Sequence, residues 1–107
     1  MTKRTQQVSA LVQKEVAQYL ARTELPALTT ISKVEITPDL KWGKIWITVM
    51  GDALVHKQVL AELGEHMYDL QGELNRKLTM KFVPKIKFVI DHGEEYAAHI
   101  NDLLRKL

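Results

Sequence analysis

Between Arg76 and Phe88 the chain reads RKLTMKFVPKIKF, with five basic side chains, no acidic one and a proline inside the run. Lysine and arginine without interleaved acids suit one kind of chemistry. They neutralise a polyanion and release its counterions. The apolar residues between them alternate as a core-facing strand would. The stretch is therefore either the wet edge of a buried strand or one side of a surface that meets a polyanion.

Catalytic chemistry is poorly supported. Cysteine is absent, which excludes a thiolate nucleophile, a disulfide frame and a thiolate metal site. Neither a glycine-rich phosphate loop nor a His-Glu-x-x-His zinc motif occurs. Of the histidines His56, His66, His92 and His99, the last stands four residues after Glu95, a spacing that a surface helix pair explains. An acylphosphatase-like enzyme would open with a strand and an arginine in a phosphate loop, whereas this chain opens with a helix pattern. The expectation is a protein without enzymatic activity, cofactor or metal.

The scaffold that must position these residues is small: 107 residues make one domain, spanning residues 1–107. The apolar fraction of 46% and the charged fraction of 26% are those of an ordinary globular protein. The net charge of +2 says little, but its distribution is uneven. Residues 1–50 carry +3, residues 51–75 carry −4, residues 76–90 carry +5 and residues 91–107 carry −2. The N-terminus has early positive charge but is broken by Gln, Lys and Glu, unlike a signal peptide. No apolar run approaches the ~20 residues of a membrane span.

The segment from Arg4 to Arg22 places Val8, Leu11, Val12, Val16, Tyr19 and Leu20 at spacings of three and four, an amphipathic helix ended before Pro26. Thr29 to Thr37 alternates Val34 and Ile36 with polar residues, and KIWITVM alternates Ile45, Ile47 and Val49 with Lys44, Trp46 and Thr48. The short PDLKWG connection makes these two strands an antiparallel pair. Helical period returns from about Leu54 to Leu78 through Val59, Leu63, Met67, Leu70 and Leu74. Gly64 and Gly72 each cost a continuous helix about 1 kcal/mol, so a kink or break near Gly64, giving two consecutive helices, is expected. Pro84 opens a third strand with Ile86, Phe88 and Ile90 on one face. HGEEYAAHINDLLRKL closes the chain as an amphipathic helix through Tyr96, Ile100, Leu103 and Leu107. The fold class is α+β, in the order α-β-β-α(-α)-β-α, with helices on one face of a three-stranded sheet. The other face displays Lys33, Lys44, Trp46, Thr48, Lys85 and Lys87.

This order is that of the type II KH domain, yet the Gly-x-x-Gly loop of ordinary KH domains is absent. Three stretches resemble ribosome-binding factor A, a KH-like family without that loop. VEITPDLKWGKIWITV (residues 34–49) is similar to its Val-Glu-x-(Ser/Thr)-x-Asp-Leu turn and second strand. LTMKFVPKIKFVID (residues 78–91) is similar to its basic Arg-x-x-Pro-Glu-Leu-x-Phe-x-Asp segment, with Lys81 in the arginine's place and Lys85 replacing the glutamate. HINDLL (residues 99–104) resembles its closing Ile-x-x-Leu-Leu helix. The family's Ala-x-Gly kink is replaced by His66, Met67 and Tyr68, so no kink contacts are carried over.

The resemblance implies a cytoplasmic, monomeric factor that binds ribosomal RNA of the free small ribosomal subunit during late maturation, with small-subunit proteins nearby. Arg76 and Lys77 end a helix, where positive charge is favourable by about 0.3–1 kcal/mol. Lys81, Lys85 and Lys87 have no such role, and with the resemblance they become the expected RNA contacts. Arg76 and Lys77 adjoin them, and Lys3, Arg4, Lys14 and Arg22 extend the set if the first helix packs nearby. Trp46 could stack on a base, or its ring could cover its neighbours or be covered by the C-terminal helix or a partner protein, and the second set of readings is favoured. Trp42 is expected to cap the hairpin. The alternatives are a protein-interaction module and a KH-like RNA binder without ribosome specificity.

Overall fold

The computed structural model describes residues 3–92. Five elements follow one another: α1 (Lys3–Arg22), β1 (Thr29–Ile36), β2 (Trp42–Val49), α2 (Ala53–Lys77) and β3 (Lys85–Ile90). The expected closing helix, with Glu95 and His99, falls outside the described residues.

α1 buries Thr5, Val8, Val12, Val16, Tyr19 and Leu20, a stripe at helical spacing that lies on β1 and α2. Leu11, expected in that stripe, is 48% exposed. Val8, Val12 and Val16 fill the seam, and Leu11 lies about 100° round the helix from Val12. Thr23 closes the helix, its backbone N–H bonding to the Leu20 carbonyl and its hydroxyl to that of Tyr19.

The sheet has the order β1-β2-β3. β1 and β2 pair antiparallel, as their short connection requires, and β2 and β3 pair parallel with α2 as the crossover. The β1 register shifts between Ile31 and Lys33, making Ser32 a bulge residue. The extra residue lets half-buried Ile31 and buried Val34 point to the same core although their numbers differ in parity. Gly43 lies where β2 passes closely between its neighbours. A Cβ there would meet Ile36 Cδ1 at 3.0 Å and Ile86 Cγ2 at 3.3 Å.

β2 turns into α2 through Gly51, at φ 126°, a conformation that L side chains rarely adopt. Asp52 then caps α2 by accepting the Val55 backbone N–H at 3.1 Å. α2 is one continuous helix of 25 residues, which corrects the expected break at Gly64. Val59, Leu63, Leu70 and Leu74 are buried along one face that spans the glycine. Burying each such side chain stabilises by about 1.5–3 kcal/mol, more than the helix penalty of both glycines.

The core combines these helix faces with Val34, Ile36, Ile45, Ile47, Val49 and Ile86 from the sheet. Phe88 and Ile90, expected in the core, are half-buried and pack against its margin.

Candidate nucleic-acid interface

The register carries the open sheet face into rows: Lys33, Trp46 and Val89; Glu35, Lys44 and Lys87; Trp42 and Lys85. Trp46 is half-buried within its row, and its indole N–H donates to the Glu35 carboxylate. The ammonium groups of Lys33 and Lys44 lie 4.7 and 5.4 Å from its ring centroid. The ring thus lies between two lysine ammonium groups.

Beside this face, the connection from α2 to β3 meets the start of α1 and the hairpin between β1 and β2. Arg4, Lys41, Lys81 and Lys85 converge there on a groove of about 850 Å³, whose walls include Leu11, Trp42, Met80 and Phe82. Its one carboxylate among the described residues, Asp39, accepts the Thr37 hydroxyl at 2.6 Å and the Lys41 backbone N–H at 3.0 Å, both on Oδ1. Those bonds, the hydroxyl's first, hold the Asp39 carboxyl below its ordinary value, so it stays ionised and occupied. A second hollow of about 540 Å³ shares Trp42 and Lys85 and adds Glu35, Lys44 and Lys87.

Two local devices fix this geometry. Leu40 adopts φ 62°, so the hairpin turns sharply and delivers Lys41 and Trp42 to the groove. The Gln71 side chain ties α2 to β3, donating to the Pro84 carbonyl at 3.0 Å and accepting the Ile86 N–H at 3.1 Å. Because the Lys85 N–H bonds to the Lys41 carbonyl, the Ile86 N–H points away from β2, and Gln71 satisfies it.

Of the expected RNA contacts, Arg4, Lys81 and Lys85 meet in the groove and Lys87 lines the adjoining hollow. Lys3 is exposed next to Arg4 in the chain. Lys14 is exposed on α1 about 15 Å along the axis from Arg4 and lines neither hollow. Arg76 is exposed near the end of α2, its guanidinium beside Gly72. Arg22 and Lys77 are engaged elsewhere. Arg22 pairs with Glu73, and Lys77 reaches Glu73 at 3.4 Å and Glu15 at 3.5 Å, a network that joins α1 to α2. The Arg22 guanidinium first, with Lys77 adding, holds the Glu73 carboxyl below its ordinary value.

Lys41, Trp42 and Phe82 were not foreseen as site residues. The PDLKWG stretch holds the first two but reads as a turn, and nothing local marks Phe82. Glu62 and His66 form a further carboxylate–imidazole pair at 3.5 Å, and the Tyr19 hydroxyl contacts His66 at 3.2 Å while donating to Asp69 at 2.8 Å. Burial first, then the Asp69 bond, pushes the Tyr19 phenol up to about 12. Among the described residues there is no group of three or more His, Cys, Asp or Glu side chains able to hold a metal ion. No helix among them is long and apolar enough to cross a membrane.

Comparison with known proteins agrees with this architecture. The family model for ribosome-binding factor A matches residues 4–104. The chain is 30% identical over 108 residues to ribosome-binding factor A of Bdellovibrio bacteriovorus, covering 98% of this chain and 81% of that protein. The crystal structure of the Thermus thermophilus factor superposes with a TM-score of 0.70 at 18% identity, covering 80% of this chain and 93% of the other. A homology model of the Thermus thermophilus factor, fitted into a cryo-EM map of its 30S complex, gives 0.66 at 19% identity over 78% and 90% of the two chains. With the family match spanning nearly the whole sequence and the helix–strand–strand–helix–strand order shared with a solved member, this chain belongs to the ribosome-binding factor A family.

Proposed function

We propose that this protein binds ribosomal RNA of the free small ribosomal subunit and assists its late maturation, as a non-enzymatic, monomeric cytoplasmic factor. The observation that carries the reading is the groove in which, among the described residues, Arg4, Lys41, Lys81 and Lys85 converge around one carboxylate, whose Oδ1 is held by Thr37 and Lys41. Such a concentration of cations favours phosphate and releases counterions when it is met. The family's name and the related factor's 30S complex support the ribosome as the source of that phosphate. Contacts of this kind position a protein without reading sequence, so selectivity for a subunit comes from RNA shape. Lys81, Lys85 and Lys87 form the centre of the interface, with Lys3, Arg4 and Lys41 at its α1 and hairpin side. Lys14 and Arg76 are peripheral, and Arg22 and Lys77 act through the ion-pair network.

The test is co-sedimentation of purified protein with small subunits, large subunits and joined ribosomes at low and moderate salt, with excess competitor RNA. Salt-sensitive binding to small subunits alone is expected. Equal binding to every RNA would reduce the protein to a generic RNA binder. Binding that survives ribonuclease would make it a protein-interaction module.

A further inference from the structure

Surface apolar side chains scattered singly need no explanation, but here three of them converge. Leu11 is 48% exposed, Trp42 56% and Phe82 75%, and all three line the groove that also holds Arg4, Lys41, Lys81 and Lys85. Among the described residues the ring pairs are Tyr19 with His66 and His56 with His92, so neither Trp42 nor Phe82 is covered by another ring. Each has an ammonium group nearby instead. Lys85 Nζ lies 5.9 Å from the Trp42 centroid and Lys81 Nζ 5.6 Å from that of Phe82. Trp46 is different: it is half-buried, bonded to Glu35 and flanked by two lysines.

We propose that Trp42 and Phe82 receive an unpaired nucleobase, with Arg4, Lys41, Lys81 and Lys85 taking the phosphates on either side of it. The proposal rests on the groove being an RNA site and specifies what enters it. A groove of about 850 Å³ is large enough for a nucleotide. Among the described residues, four cations facing one carboxylate select a polyanion over an apolar peptide. Within RNA, a paired base already has both faces stacked, so only an unpaired one can offer a face to an aromatic ring. The backbone that carries Trp42 is fixed, its main-chain N–H donating to the Thr37 hydroxyl at 3.1 Å and its carbonyl accepting the Thr37 N–H at 3.0 Å. Stacking is available to every base, so base preference is weak.

The experiment uses a Trp46→Phe background, so that Trp42 is the only tryptophan, and a mixed-sequence single-stranded RNA octanucleotide beside the same RNA as a duplex. Expected are quenching of Trp42 fluorescence by the single strand and a loss of about 5- to 150-fold in its affinity for Trp42→Ala and for Phe82→Ala. Trp42→Tyr should retain most of the affinity, and duplex affinity should not change. Thermal unfolding checks that each variant is folded. Unchanged single-strand affinity in folded Trp42→Ala and Phe82→Ala variants overturns the proposal. So does an equal loss for duplex and single strand, or absence of binding by the parent protein. Subunit sedimentation separates this inference from the proposed function. Single-strand binding through the two rings without subunit binding sinks the function alone, whereas subunit binding that needs the lysines but not the rings sinks the inference alone.

Discussion

Replacing Lys81, Lys85 and Lys87 together by Gln removes three positive charges while keeping side chains of similar length. All three are exposed, and none takes part in the ion pairs found among the described residues. The fold should therefore change by no more than about 0.5 kcal/mol. Binding should change far more. Each phosphate neutralised contributes about 0.7 to 0.9 to the slope of log K against log salt, the lower figure for single strands. Three lost contacts flatten that slope by about 2 to 3, which at about 0.1 M salt is a loss of roughly 100- to 500-fold in affinity. Filter binding or sedimentation with small subunits across a salt series measures the slope directly. Arg22→Gln and Lys77→Gln are the controls, because they disturb the Glu73 network and should lower stability while leaving the slope nearly intact. A folded triple variant with an unchanged slope would refute the assignment of the interface, and Lys→Glu at the same three positions should abolish subunit binding.

Gly64→Ala should raise stability by about 1 kcal/mol, since a Cβ there meets nothing within 4 Å and α2 is unbroken across it; loss of stability in urea unfolding would instead reveal a bend that needs glycine. Tyr19 is neutral at pH 7, and its phenol is raised from 10.0 to about 12, so it contributes stability below pH 10 that is lost as pH rises to about 12. That loss is about 2–3 kcal/mol, and Tyr19→Phe should flatten the alkaline limb of a pH–stability curve; an identical limb in the variant contradicts the linkage. Gln71→Leu leaves the Ile86 N–H and the Pro84 carbonyl without this partner, so stability should fall by about 1–3 kcal/mol in urea unfolding, with weaker RNA binding as β3 loosens. An unaffected Gln71→Leu protein would show that water replaces the amide.

Much of the scaffold was legible in residue order because its causes are local. Period-two alternation around Val34, Ile36, Ile45 and Ile47 reflects the strand pleat, and the stripes through Val12, Val16, Leu63 and Leu70 reflect the helix turn. The short PDLKWG link similarly dictates an antiparallel hairpin. The break expected at Gly64 failed because glycine's helix penalty is local, whereas the burial that outweighs it depends on the sheet beneath α2.

The basic run from Arg76 to Lys87 stands out in the sequence by charge alone, but charge does not say which cations meet acids. Only tertiary packing set Arg22 and Lys77 against Glu15 and Glu73 and left Lys81, Lys85 and Lys87 outside those ion pairs. The groove itself belongs to no single stretch. Arg4, Lys41 with Trp42, and Lys81 with Phe82 are about 40 residues apart in turn and meet because β3 lies parallel beside β2 and α1 packs across the sheet. Composition and periodicity determined a small α+β protein with an uneven charge distribution. Strand order and helix docking decided where that charge and the exposed rings converge, because contacts between distant segments leave no local periodic trace.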